Sequence, residues 1–168
     1  MEGKVKKRVT QKRMGKKEAG QFSAQLRKVR GFKIFPNQKS LGETKLNAYL
    51  INHLLQRNLS VENKSIVCAK FVGETFRPEC LLRGKGMYPF CTIECKKLND
   101  QYAKARWKEG LSQSLLYAHY YKAVIYVLFD YTKGAKYANA FSRANTIESR
   151  FAAELRERSN VHIVVLSA

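Results

Sequence analysis

The segment PFCTIECKK, residues 89–97, has the alternating pattern of a β-strand. Its apolar and polar side chains follow one another in the order Cys91, Thr92, Ile93, Glu94, Cys95, Lys96. Because successive side chains of a strand point to opposite faces, the pattern predicts one small apolar face turned inward. The other face would present a carboxylate and an ammonium side by side. Such a pair is either ordinary decoration of a sheet or half of an active site.

The segments around this strand predict an α/β fold. Residues 40–59 are predicted to form a helix, because leucines recur at helical spacing and Ser40 is a candidate N-cap. The other patterns predict helices over residues 108–122 and 146–160 and strands over residues 65–72, 75–84, 90–98, 123–132 and 161–167. The resulting order, α-β-β-β-α-β-α-β, predicts a mixed sheet flanked by helices.

Positive charge is concentrated at the N-terminal end of the chain. The net charge is +19 and the pI is near 10.0, which implies an anionic partner, most commonly nucleic acid. Residues 1–33 hold twelve Lys/Arg and two acids, a net of +10, and residues 34–168 hold twenty and eleven, a net of +9. We predict a basic, partly flexible arm over residues 1–36 and a folded domain over residues 37–168.

Several classes of protein are not expected from the composition. No apolar run approaches the about 18 residues that span a bilayer, and no apolar signal-peptide core follows the basic N-terminus. The four cysteines form no C-x-x-C pair, so buried thiols in a reducing compartment are the simplest interpretation. We therefore expect an intracellular protein, in the cytoplasm or with the nucleoid or nucleus, that has no membrane partner.

Two acids and a lysine are predicted to share one face of the sheet. Glu79 lies in a β-rich run, and a hairpin would bring it beside Glu94 and Lys96. Two neighbouring carboxylates repel each other unless a cation lies between them. Mg²⁺ takes one or two carboxylates, keeps several waters and polarises a phosphoryl oxygen, while a nearby lysine can hold the attacking water. This group of side chains is suited to phosphodiester hydrolysis.

The motif formed by these residues resembles that of the PD-(D/E)XK nuclease superfamily, which includes restriction endonucleases and Holliday-junction resolvases. Pro78-Glu79 followed by Glu94-Cys95-Lys96 looks like its signature, with Glu79 where the family usually has aspartate. The element order over residues 40–167 is similar to the family's αβββαβ core with an added helix and strand. The resemblance implies a restriction-endonuclease-like fold and a Mg²⁺-dependent deoxyribonuclease, with Mn²⁺ as a substitute metal, that acts on DNA as a homodimer.

The resemblance also implies roles for individual residues. The residues it assigns are Glu43, Glu79 and Glu94 for the metal and Glu79, Glu94, Lys96 and Gln113 for catalysis. Glu43 matches an extra acid that many members place beside the metal. Gln113 and Tyr117 look like the Q-x-x-x-Y element of members that act at DNA ends.

Basic and aromatic residues are predicted to bind the nucleic acid itself. Lysine and arginine contact phosphates, which position a strand without identifying its sequence, and tyrosine stacks on unpaired bases. The predicted nucleic-acid contacts are Lys12, Arg13, Lys16, Lys17, Arg77, Arg83, Lys97, Lys104, Arg106, Lys108 and Tyr117.

Each of these assignments has a structural alternative. Glu94 and Lys96 could be a solvent-facing pair on an ordinary sheet. Glu43 could be an acid that stabilises the start of a helix, and Glu74, beside a glycine, competes with Glu79 for the metal. The aromatic side chains of the helix over residues 108–122 could pack in the core, and the three histidines show no ligand spacing.

Two functions stay open on this sequence. The first is a metal-dependent DNA endonuclease, whose action at specific sites, at junctions or at ends is not distinguished. The second is a non-catalytic nucleic-acid-binding protein that keeps the nuclease fold. Metal-dependent cleavage separates the two functions, whereas salt-sensitive DNA binding is expected of both.

Overall fold

The segment over residues 89–98 forms the longest strand of the sheet. The computed structural model describes residues 14–55, 61–63, 69–71, 74–83 and 89–168. The strands are β1 (Val61–Asn63), β2 (Ala69–Phe71), β3 (Glu74–Phe76), β4 (Cys80–Arg83), β5 (Pro89–Leu98), β6 (Ala123–Asp130) and β7 (Val161–Ser167). The α-helices are α1 (Lys16–Arg30), α2 (Glu43–Leu55), α3 (Ala103–Tyr117), α4 (Lys136–Ser142) and α5 (Ile147–Ser159), and a 3₁₀-helix spans Pro36–Ser40.

The main sheet is mixed and has the order β1-β4-β5-β6-β7. Its first three strands pair antiparallel, and β5, β6 and β7 pair parallel. The outermost strand, β1, has only three residues. A parallel pair needs a crossover connection, which α3 provides between β5 and β6, and α4 with α5 between β6 and β7. The predicted α/β class with a mixed sheet flanked by helices is confirmed.

The predicted strands before β5 are placed differently from the prediction. The single strand predicted over residues 75–84 is broken into β3 and β4, and Pro78 lies in the break. Proline has no N–H to donate to a ladder, so it ends a strand inside a sheet. Residues 65–72 are predicted to form one strand. The part of them that the structure describes as a strand is β2, which pairs with β3 in a separate two-stranded sheet.

Both faces of β5 are buried, which corrects the prediction of one outward face. Cys91, Ile93 and Cys95 lie in the core cluster that includes the buried leucines of α2. Glu94 and Lys96, on the opposite face, are only 2% and 4% exposed. The crossover helices cover that second face, as they do in parallel sheets generally.

Two helix boundaries differ from the prediction, and one is confirmed. The helix predicted over residues 108–122 begins at Ala103 and ends at Tyr117. Ser40 belongs to the 3₁₀-helix, and α2 begins at Glu43. Thr146 caps α5 as predicted, since its hydroxyl accepts a hydrogen bond from the N–H of Ser149 at 3.1 Å.

Helix α1 is part of the same core as the rest of the fold. Phe22, Val29 and Ile34 are buried in one cluster with the α2 leucines. Lys122, just before β6, donates to both carboxylate oxygens of Glu18 at 2.7 Å. Helix α1, within the arm predicted over residues 1–36, therefore packs on the core of the domain, while residues 1–13 lie outside the described part of the chain.

Two further expectations concern the thiols and the membrane. Cys80, Cys91 and Cys95 are free and buried, and burial raises the pKa of each thiol, so these three behave as small core residues. None of the helices in the described ranges has the length and apolar content needed to cross a bilayer.

Gly110 allows α3 to lie directly on the sheet. A Cβ at this position would come 2.5 Å from the Tyr126 hydroxyl and 2.6 Å from Cγ of Lys96. We expect Gly110→Ala to lower the free energy of unfolding by about 1–3 kcal/mol, because the helix has to move off the strand pair. The measurement is urea denaturation at constant pH.

Gly20→Ala is the matched control for this change. Gly20 also lies inside a helix, but nothing stands within 4 Å of an added Cβ. Its replacement should raise stability by about 0.5–1 kcal/mol, because alanine is the better helix former. Equal stability of Gly110→Ala and the wild type would contradict the tight contact between α3 and the sheet.

Candidate active site

The Glu94–Lys96 pair lies on the face of β5 that α3 covers. Lys96 Nζ is 2.7 Å from Glu94 Oε1. Residues two apart on a strand point to the same side, so the pair follows from the local conformation alone. Removing two charges from water costs several kcal/mol for each ion, which makes a pair this deeply buried more common at functional sites than in plain cores.

Glu79 lies near Glu94, at the bend that precedes β4. Cys80 pairs with Ile93 in the antiparallel register of β4 and β5, and the charge of Glu79, one residue before Cys80, raises the pKa of Glu94. Pro78 is buried and Glu79 is half-buried at the bend that leads into β4. The β4–β5 hairpin therefore brings the two carboxylates near each other.

Glu43 ties the start of α2 to this site. The backbone N–H of Lys97 donates to its Oε2 at 2.7 Å, and Arg106 of α3 donates to its Oε1 at 2.5 Å. Both carboxylate oxygens are therefore engaged by protein donors. Glu43 acts here as a bridge between α2, β5 and α3, and each of its oxygens keeps a second lone pair, so these bonds leave its predicted place as a metal ligand open.

Glu109 is a fourth acid at the site, and sequence analysis did not find it. Its Oε1 is 3.4 Å from Lys96 Nζ, and its Oε2 accepts a hydrogen bond from Arg106 at 2.6 Å. The sequence does contain a signal for Glu109. Arg106 and Glu109 are three residues apart on a helix, so their side chains can pair. The glycine at position 110 also marked the turn of α3 that touches the sheet.

Acids outnumber cations in this cluster, although the chain as a whole is strongly positive. Among the described residues, the four carboxylates are those of Glu43, Glu79, Glu94 and Glu109, and the two cations that pair with them are Lys96 and Arg106. Counted as charges, four negative against two positive leave a local excess of two negative charges. A site of this kind attracts either protons or a metal cation.

Burial and the excess of negative charge together shift the pKa values of Glu94 and Lys96. Burial raises the pKa of Glu94 to about 7; Lys96 opposes the shift, and Glu79 and Glu43 add to it. Burial would lower the pKa of Lys96, but the attraction of Glu94, Glu43 and Glu109 outweighs it, so the pKa is raised. Lys96 therefore stays protonated at neutral pH, and Glu94 is the acid that accepts a proton.

The residues present fit a magnesium ion that keeps most of its waters. Among the described residues, no three His, Cys, Asp or Glu side chains are grouped closely enough to hold a metal between them. Mg²⁺ is nevertheless often held by one or two carboxylates together with water. Glu79 and Glu94, whose charges interact, offer such a pair.

The Q-x-x-x-Y pair on α3 is divided between site and core. Gln113 is half-buried one turn after Gly110, and its Oε1 is buried with no hydrogen-bond partner in the described part of the chain. Tyr117 is fully buried in the cluster beneath α3. The prediction that Tyr117 stacks on a nucleic acid is therefore corrected, because neither face of its ring reaches solvent.

The predicted phosphate contacts fall into two groups. Lys16, Lys17, Arg77, Lys104 and Lys108 are exposed, and Arg83 is half-buried. Lys97 instead donates to the carbonyls of Lys39 and Leu41, both at 2.6 Å, and Arg106 pairs with Glu43 and Glu109. These last two cations hold the site together, while Lys12 and Arg13 lie outside the described residues.

Known proteins give no further assignment. No family model, curated protein or solved structure matches this chain.

Proposed function

We propose that this protein is a metal-dependent DNA endonuclease with a restriction-endonuclease-like core. The observation that carries the proposal is the excess of carboxylates around a buried lysine in a chain of net charge +19. A binding surface for phosphates would favour basic residues at this point, whereas phosphodiester hydrolysis needs acids that hold a cation.

A comparison of two buried acids supports this proposal. Asp130, at the end of β6, accepts hydrogen bonds from Thr132 N, Thr132 Oγ1 and Ala138 N at 2.6–3.0 Å, so its carboxylate is fully used in the fold. Glu94 accepts one hydrogen bond among the described residues, from Lys96. A buried carboxylate with a single protein donor among the described residues is the kind of ligand that a metal ion would stabilise.

The chain's own residues would act as follows. Magnesium, when bound, would supply Lewis-acid stabilisation of the phosphate. Glu79 and Glu94 would hold it, and the Lys96 ammonium, fixed at 2.7 Å from Glu94, would orient the attacking water and offset the charge that develops on the phosphate. Glu109 and Arg106 would keep Lys96 in place. Cutting both strands of a duplex would require a second copy of the chain, with one active site for each strand.

Metal-dependent cleavage tests the proposal. The protein is incubated with supercoiled plasmid, single-stranded DNA and a four-way junction, in Mg²⁺, in Mn²⁺ or in EDTA. We expect cleavage in Mg²⁺ and none in EDTA, and the substrate cut fastest identifies the subclass. Glu79→Gln should reduce the rate at least about a hundredfold, because it removes one charge that binds the metal.

Glu74→Gln is the matched control. Glu74 begins β3, five residues before Glu79, and its replacement removes the same charge from the chain. It should cut at the wild-type rate. Equal loss in both variants would mean that net charge, and not a ligand at residue 79, limits cleavage.

A non-catalytic nucleic-acid-binding protein is the second candidate. The observation that favours it is a continuous series of ion pairs, in which each of the three acids already has a cation. The series runs Glu43–Arg106–Glu109–Lys96–Glu94. This function predicts salt-sensitive binding of every substrate with no cleavage in either metal. That result would overturn the nuclease proposal.

A further inference from the structure

We propose that a groove between α3, α4 and α5 binds an unpaired nucleotide of a single-stranded nucleic acid. The groove encloses about 390 Å³, which is within the range of small-molecule sites. Glu79, Glu94 and Lys96 do not line it. It is therefore separate from the candidate active site, although α3 contributes to both.

The floor of the groove is aromatic. Trp107 lines the groove, and the buried Tyr126, which does not line it, stacks on Trp107 with ring centroids 5.6 Å apart and an interplanar angle of 19°. Phe141 of α4 lies 5.4 Å from Trp107, and Phe151 of α5 lies 6.4 Å from it. Aromatic side chains of this kind bind bases without regard to sequence, because every base has a π-face.

The rim of the groove is positively charged. Lys104 and Lys108 are four residues apart on one face of α3, and Lys136 begins α4. All three side chains are exposed, and no ion pair joins them to another residue of the described ranges. Glu148 is the one acid among the described residues that line the groove, so three ammonium groups face one carboxylate.

The occupant has to satisfy both the floor and the rim. A nucleotide does so, because its base stacks on aromatic rings while its phosphate pairs with lysine. In a duplex the base faces are covered by their neighbours, so only an unpaired nucleotide can enter. A strand is favoured over a free nucleotide, because the three lysines can then pair with successive phosphates.

The inference depends on the proposed function only in taking nucleic acid as the partner. It predicts binding in EDTA, where no cleavage occurs. Loss of cleavage and loss of groove binding are therefore measured separately, and either can fail alone.

The experiment uses the intrinsic fluorescence of the protein. Trp107 is the one tryptophan of the chain, so its emission reports on the groove floor. In EDTA, a thymidine oligomer should quench that emission, whereas an abasic oligomer of equal length should bind through its phosphates with little quenching. A duplex of equal length should also quench little.

Two double variants test the rim. Lys104→Ser/Lys108→Ser should weaken binding of the oligomer about tenfold and lower its salt slope by about 1.4, at about 0.7 for each lysine–phosphate pair removed. Lys33→Ser/Lys45→Ser removes the same charge at two exposed lysines outside the groove, and it should have a smaller effect.

Four outcomes would overturn the proposal. They are equal quenching by the abasic oligomer, equal quenching by the duplex, equal weakening in the two double variants, and thymidine monophosphate binding as tightly as the oligomer. The last would identify a site for free nucleotides instead of a strand.

Discussion

Lys96→Met is expected to reduce metal-dependent cleavage at least about a hundredfold and to cost about 3–5 kcal/mol of unfolding free energy at pH 9. Methionine keeps an apolar stem under Gly110 but removes the ammonium that lies 2.7 Å from Glu94. The buried carboxylate then has no counter-ion. At pH 5 the loss of stability should be much smaller, because Glu94, whose pKa is already about 7, accepts a proton instead.

The double variant Glu94→Leu/Lys96→Met separates folding from chemistry. Replacing both members of a buried pair by apolar residues is often neutral or stabilising, so the double variant should recover most of the lost stability while staying inactive. Urea denaturation at pH 5 and pH 9 measures the stabilities. If the single variant matches the wild type at pH 9, or if the double variant recovers nothing, the pair does not carry the buried charge described above.

Glu94→Gln is expected to remove a pH-dependent loss of stability of about 3 kcal/mol. The pKa of Glu94 is about 7 in the folded protein and near 4.5 when unfolded, so between these values the folded state binds more protons. Stability contributed by this group therefore falls as pH rises from 4.5 to 7 and stays low above 7. The figure follows from about 1.4 kcal/mol for each pKa unit.

His162 acts in the same pH range with the opposite sign. Its pKa is lowered to about 4, mainly by burial and also by Arg156 and Arg30. The stability it contributes is present above pH 6.5 and is lost as pH falls toward 4. The two slopes offset each other in the wild type, so its stability should change little between pH 4.5 and 6.5.

The Glu94→Gln variant should therefore show the His162 slope alone. Its stability is expected to rise from pH 4 to pH 6.5, whereas the wild-type curve stays nearly level. Denaturation curves at closely spaced pH values test this. Parallel curves for the two proteins would show that Glu94 is ionised throughout and that its surroundings supply enough positive charge.

The later elements of the fold were predictable because local pattern and tertiary packing agree there. Strands β6 and β7 are apolar runs of strand length, and Thr146 is a standard helix cap for α5. Helix α4 was missed, because its start depends on Asp130 accepting the N–H of Ala138 from eight residues away. A sequence window cannot detect a cap supplied by a buried strand end.

The sequence predicted which residues of β5 form the site, but not that these residues are buried. The alternation of β5 puts Glu94 and Lys96 on one face, and the β4–β5 hairpin brings Glu79 near Glu94. Their burial depends on α3 lying against them at Gly110, and that contact also brings Glu109 to Lys96. This contact depends on how the crossover helix α3 packs against the sheet, and the sequence of β5 does not specify which helix covers it.

The ion pair between Glu18 and Lys122 bears on how the chain matures during synthesis. The two residues are 104 positions apart, so at about 5–20 residues per second the ribosome makes the partner of Glu18 roughly 5–20 s later. Helix α1 also contacts β7, which is synthesised later still, so the apolar face of α1 stays uncovered for longer. During that interval an amphipathic helix and a basic segment are made together, which makes the nascent chain a candidate for early association with chaperones or with nearby nucleic acid.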